Sequence, residues 1–151
     1  MNSENKTSTI LKDPKINIKI KLSGLWVANM FLFIYVDYFG LYIPGVMGKI
    51  IEGEVAHTGI QVSQVFLLAG ITLMMIPSLM IFLSLILPAK ANRWTNIIVG
   101  ILQIVVLLSA LIGESWVYYI FATIVEVVLL LLIIWFAWRW PIQEHEPIPS
   151  F

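Results

Sequence analysis

Cysteine is absent from the 151-residue sequence, which removes disulfides, thiol redox relays, iron–sulfur ligation and thiolate zinc sites. Charge is scarce as well: Asp, Glu, Lys and Arg make up 12% of the chain, against about a quarter in an ordinary soluble domain. No strand, Gly-rich turn and helix occur in the order that cradles a phosphate. No basic domain points to nucleic acid, and no cofactor motif is present. The net charge is zero, so any electrostatic preference has to come from how the few charges are placed.

What fills the chain instead is apolar sequence, 60% of residues, with a mean hydropathy of +0.92. Four runs, roughly 22–43, 65–87, 94–112 and 116–138, each reach the ~20 residues that cross a bilayer. They predict an all-α, four-helix transmembrane bundle. Residues 1–21 form a basic tail, 22–140 the membrane domain and 141–151 a short tail broken by Pro141, Pro147 and Pro149. The first run is too long for the apolar part of a cleavable signal, and Asp37 and three tyrosines occupy the place of a small-residue cleavage site. The connections "PAKANR" and "GES" are so short that the second and third runs, and the third and fourth, must be antiparallel neighbours.

Eight basic residues (Lys6, Lys12, Lys15, Lys19, Lys21, Lys90, Arg93 and Arg139) lie on the side shared by both termini, and only Lys49 lies opposite. That asymmetry predicts cytoplasmic termini. Trp26, Trp94, Trp116, Trp135, Trp138 and Trp140 fall near the expected boundaries, as an interfacial aromatic belt requires. "KINIKIKLS" alternates with a strand-like period, but an isolated strand beside a membrane has no partner. A segment lying on the surface, with its lysines on anionic headgroups, is the preferred reading. In the long loop, glycines rule out a long helix, and His57 with Glu52 and Glu54 matches no metal-ligand spacing, so no metal site is expected.

Four stretches, "YVDYFGLYIPG", "ANRWTNIIVG", "YYIFATIVEV" and "IIWFAWRW", together resemble a family of small bacterial four-helix membrane proteins without a characterised function. The likeness runs from about Leu22 to Trp140 and implies a bacterial inner-membrane location. More distantly the layout resembles the DoxX-like group, which implies quinone or thiol chemistry in a redox membrane. Without cysteine, the thiol version has no support.

Ionisable and polar groups within a bilayer are costly, at least ~2.5 kcal/mol for a charge at the centre, and so face protein or water. Counting ~1.5 Å per residue puts Asp37 about 9 Å inside the outer boundary, with Gln103 and Glu126 at the midplane on neighbouring helices where the two can meet. Tyr119, Thr123 and Glu126 share a helical face, as do Asn96, Gly100 and Gln103. Pro77 leaves the Leu73 carbonyl without its usual donor, which Thr72 and Ser78 are close enough to help satisfy.

Asp37, Gln103, Tyr119, Thr123 and Glu126 are therefore the candidate ligand-binding or proton-handling residues. Plain interhelical hydrogen bonds are the competing explanation for Gln103, Thr123, Asn29 and Asn96. Glu126 leans toward function, since a glutamine would join helices at lower cost. Asp37 is expected to point into the bundle, bonded to Tyr119 or the outer loop. Three functions fit: binding or transport of a small apolar or lipid-like molecule in an intrabundle pocket, a membrane enzyme on a lipid-like or quinone-like substrate, and a non-catalytic accessory subunit. The implied partners are the lipid bilayer, a small apolar ligand, and a second copy or a membrane partner protein.

Overall fold

The computed structural model describes residues 14–55 and 59–141. Five helices follow in order: α1 (Ile18–Gly40), α2 (Val46–Ile51), α3 (Gln64–Ile86), α4 (Ala89–Ala110) and α5 (Val117–Trp138). The four long ones have 22 or 23 residues, about 33–35 Å at the α-helical rise. They are long and apolar enough to cross a membrane, and the architecture fits a multi-pass membrane protein. Among the described residues the only extended pairing is an isolated bridge between Glu54 and Gln61.

Local chemistry sets the boundaries. The Asn17 side chain accepts from the Lys19 amide at 2.9 Å and starts α1 one turn earlier than hydropathy indicates. The strand-like alternation of "KINIKIKLS" is thus overridden. With no neighbouring strand, the capped helix is the conformation that satisfies the backbone. Lys19 then reaches across to α3, where Nζ donates to the carbonyls of Leu85 (3.2 Å) and Leu87 (2.7 Å), groups a helix end leaves unsatisfied. Ser63 caps α3 through the Phe66 amide. Pro88 precedes Ala89, so α4 also begins earlier than Trp94. Glu114 Oε1 accepts from the Ser115 and Trp116 amides at 2.7 and 2.8 Å and turns the chain into α5.

The helices form a ring in the order α1, α3, α4, α5, with α1 and α4 on one diagonal. The α4–α5, α1–α3 and α1–α5 seams are well packed, and the α3–α4 seam is the sparsest. On α1 the buried residues Leu22, Trp26, Asn29, Phe33 and Val36 recur at four- and three-residue intervals. On α5 Thr123, Glu126, Leu130, Ile133 and Ala137 do the same. This is the seam of a bundle whose helices cross at shallow angles. The most deeply buried apolar side chains, Leu22, Trp26, Met80, Leu130, Ile133 and Ala137, gather at the end carrying the lysines and arginines, here termed the basic end. The other end carries the 41–63 connection and is termed the loop end. Gly100 lets α4 approach α5, because a Cβ there would stand 2.9 Å from Ile134 Cγ1.

Trp26 is not a belt residue. It is fully buried, while Trp94, Trp116, Trp135 and Trp138 are exposed. The heptad seam takes position 26 into the core, and hydropathy cannot distinguish that from an interface.

Candidate functional site

Two sets of polar side chains lie inside the bundle, and they differ in how their hydrogen bonds are met. The first is near the basic end. Trp26 Nε1 donates to Asn96 Oδ1 at 2.7 Å, and Ser84 Oγ donates to the same oxygen at 3.2 Å. Asn96 Nδ2 donates to Asn92 O and Oδ1 at 2.9 and 2.6 Å, and Asn92 Nδ2 donates to the Ser84 carbonyl at 2.6 Å. Three helices are tied together, and each polar atom of Asn96 has a partner. This is a structural network.

The second set lies closer to the middle: Asn29 on α1, Gln103 on α4, and Thr123 and Glu126 on α5. All four are at most 1% exposed. Yet both amide atoms of Asn29, both of Gln103, Thr123 Oγ1 and Glu126 Oε1 are buried with no hydrogen-bond partner. An unsatisfied buried donor or acceptor costs about 1–3 kcal/mol, and natural structures carry few of them. The sequence expectation that Gln103 and Glu126 meet is corrected in this respect. The α4–α5 seam takes both side chains inward, but no bond joins them. Asn29 and Thr123, weighed as packing bonds, make none either.

Asp37 also departs from expectation. It forms no hydrogen bond to Tyr119 among the described residues, and its side chain is exposed. The seam of α1 runs through Phe33 and Val36, which turns position 37 onto the flank. The room beside Gly40 is taken by Tyr118, whose hydroxyl lies 3.2 Å from where a Cβ would stand. Tyr119 is half-buried.

Thr72 and Ser78 do not rescue the Leu73 carbonyl. Their hydroxyls donate to Leu68 O and Met74 O at 2.7 and 2.8 Å, the ordinary back-bond four residues earlier. In the loop, Glu54 pairs with Lys49 at 3.7 Å and accepts from Gln61 at 3.3 Å, and His57 lies outside the described residues. Among the described residues no three His, Asp or Glu side chains group as metal ligands.

Open hollows border the bundle. One of about 690 Å³ lies at the basic end between Lys15, Lys19, Ala89 and Trp140. A second, of about 430 Å³, is lined by Phe39, Tyr42, Pro44, Trp116 and Tyr118 at the loop end. A third, of about 400 Å³, runs along α3 beside Leu68, Thr72, Leu73 and Ile76.

The central set supplies two primary amides, a hydroxyl and a carboxyl group on three helices. It contains neither a nucleophile held by a base nor a metal-ligand group. Chemically it is a group of buried donors and acceptors whose hydrogen-bonding capacity is unused.

Fold and interior together define an all-helical protein with four membrane-length helices around a polar centre. The chain belongs to DUF6326, a family of unknown function, matched over residues 12–146. No curated protein and no solved structure matches it, so the DoxX-like likeness has only helix layout behind it.

Proposed function

We propose that this protein binds or transports a small, largely apolar or lipid-like molecule whose polar head docks on Asn29, Gln103, Thr123 and Glu126. One observation carries this reading: polar atoms on three helices lie buried and unpartnered in the same molecule that satisfies the Trp26–Asn96–Asn92 network in full. A chain that needed only interhelical bonds would have paired them, or used apolar residues at less cost. Bundle interiors are common ligand sites, and buried carboxyl groups in membrane helices are most often functional. Tyr119, half-buried and on the same α5 face as Thr123 and Glu126, lies on the way from the loop end toward this centre.

The same reading places the protein in a bacterial inner membrane with both termini in the cytoplasm. The eight-to-one distribution of basic residues supports that orientation.

Mass spectrometry of lipid-soluble molecules retained after mild purification tests the function. The wild-type chain is expected to keep one species at near-stoichiometric amount, and Glu126→Leu combined with Gln103→Leu to lose it. Recovery of the same mixed bilayer lipids from both proteins would refute a defined ligand.

A further inference from the structure

α3 is built unlike its neighbours. Its buried residues are Pro77, Met80 and Ser84, all in the half toward the basic end, whereas α1 and α4 carry buried residues along both halves. The hydrogen bonds joining α3 to α4, from Asn92 to Ser84 O and from Ser84 to Asn96, are confined to that pinned half. The α3–α4 seam is the sparsest in the ring, and α3 buries no residue on the loop-end side of Pro77. Pro77 stands where the pinned half meets the free one. It lacks an N–H, so the Leu73 carbonyl has no donor four residues on, and the helix bends most readily there.

Along the free half, Ala69, Leu73 and Ile76 extend the strip of Met80 and Ser84 at helical spacing. That strip is the α4-facing side of the helix, as the Ser84 bonds show. The groove of about 400 Å³ borders it, lined by Val65, Leu68, Ala69, Thr72, Leu73 and Ile76. All six lining residues belong to α3, so the groove is open on its outer side. Its lining is apolar apart from Thr72, whose hydroxyl is already committed to Leu68 O.

Building on the interior receptor proposed above, we infer that the loop-end half of α3 is a lateral portal hinged at Pro77. The groove beside it holds the hydrocarbon chain of an amphiphile whose head bonds Asn29, Gln103 and Glu126. The head carries both donors and acceptors, because the unpartnered amides offer both. Its chain is apolar because the groove is, and access is from the bilayer because the weak seam opens sideways. The ligand class is a neutral, oxygen-bearing head on one hydrocarbon chain.

The absence of native cysteine allows a direct test. Ser84 bonds Asn92 and Asn96, so twelve residues up each antiparallel helix Thr72 stands level with positions 104–108. Thr72→Cys with Val106→Cys, joined by a short reductant-cleavable bifunctional thiol reagent, closes the portal. The probe is a monoacylglycerol with a diazirine midway along its chain, applied to the full-length protein in phosphatidylcholine vesicles. Saturable photolabelling on residues 65–76, lost on bridging and restored by reductant, is the expected result. Saturable labelling that bridging leaves unchanged, or that falls on Phe39, Trp116 and Tyr118 at the loop end, overturns the portal while leaving the interior receptor standing. If no labelling is saturable in the unbridged protein, both are overturned.

Discussion

The indole of Trp26 donates to Asn96 across a bundle diagonal at 2.7 Å, joining α1 and α4, which are not neighbours in the ring. Asn96 also accepts from Ser84 and donates to Asn92. Asn96→Leu should therefore strand several buried groups at once. A loss of about 1–3 kcal/mol is expected, read as a lower midpoint in detergent-based unfolding. Unchanged stability would mean that the network contributes little.

The central set should respond with the opposite sign. Gln103 and Asn29 satisfy no partner in the structure, so replacing them with leucine removes a desolvation cost without breaking a bond. Gln103→Leu and Asn29→Leu are expected to be as stable as wild type or more so, with loss of the retained molecule. That pattern, stability gained as function is lost, marks a binding site. Should either variant unfold as readily as Asn96→Leu, its amide is bonded and the receptor reading fails. The same reasoning extends to Glu126→Leu. With no bond to Gln103 to break, it too should not destabilise the bundle.

Gly100 sets the closest approach of α4 and α5. A Cβ at that position meets Ile134 Cγ1 at 2.9 Å and Cδ1 at 3.3 Å, and Cγ1 is too near the backbone to swing clear. Gly100→Ala is expected to cost about 1–3 kcal/mol through overpacking. Adding Ile134→Ala should recover part of that loss, measured by thermal unfolding of the single and double variants. Equal stability of Gly100→Ala and wild type would show that the seam adjusts freely.

Orientation is checked with single cysteines at two exposed sites, Lys90 in the first turn of α4 and Glu52 after α2. In intact cells an impermeant thiol reagent should label Glu52→Cys and spare Lys90→Cys. The reverse pattern would invert the proposed topology.

The four membrane-length helices and the antiparallel pairing of the last three were legible from hydropathy and loop length. Both signals are local and need no tertiary information. The heptad on α1 was also present in the sequence, at Leu22, Trp26, Asn29, Phe33 and Val36. In a helix apolar on every side, however, a seam does not stand out against the lipid-facing residues. Trp26 and Asp37 were assigned to the wrong surroundings for that reason.

Composition and local spacing alone determined that this chain folds as membrane-length helices with a few polar groups in their interior. Burying so much apolar surface permits little else, and a polar residue in mid-helix must turn inward or, as Thr72 and Ser78 do, bond its own backbone. Only the tertiary structure decided which of those groups are bonded. Asn96 is held by Trp26, Ser84 and Asn92, whereas Asn29, Gln103, Thr123 and Glu126 keep unpartnered atoms. Hydrogen bonding depends on distances of a few tenths of an ångström between different helices, and those follow from how Gly100, Pro77 and the heptad seams set the helices against one another.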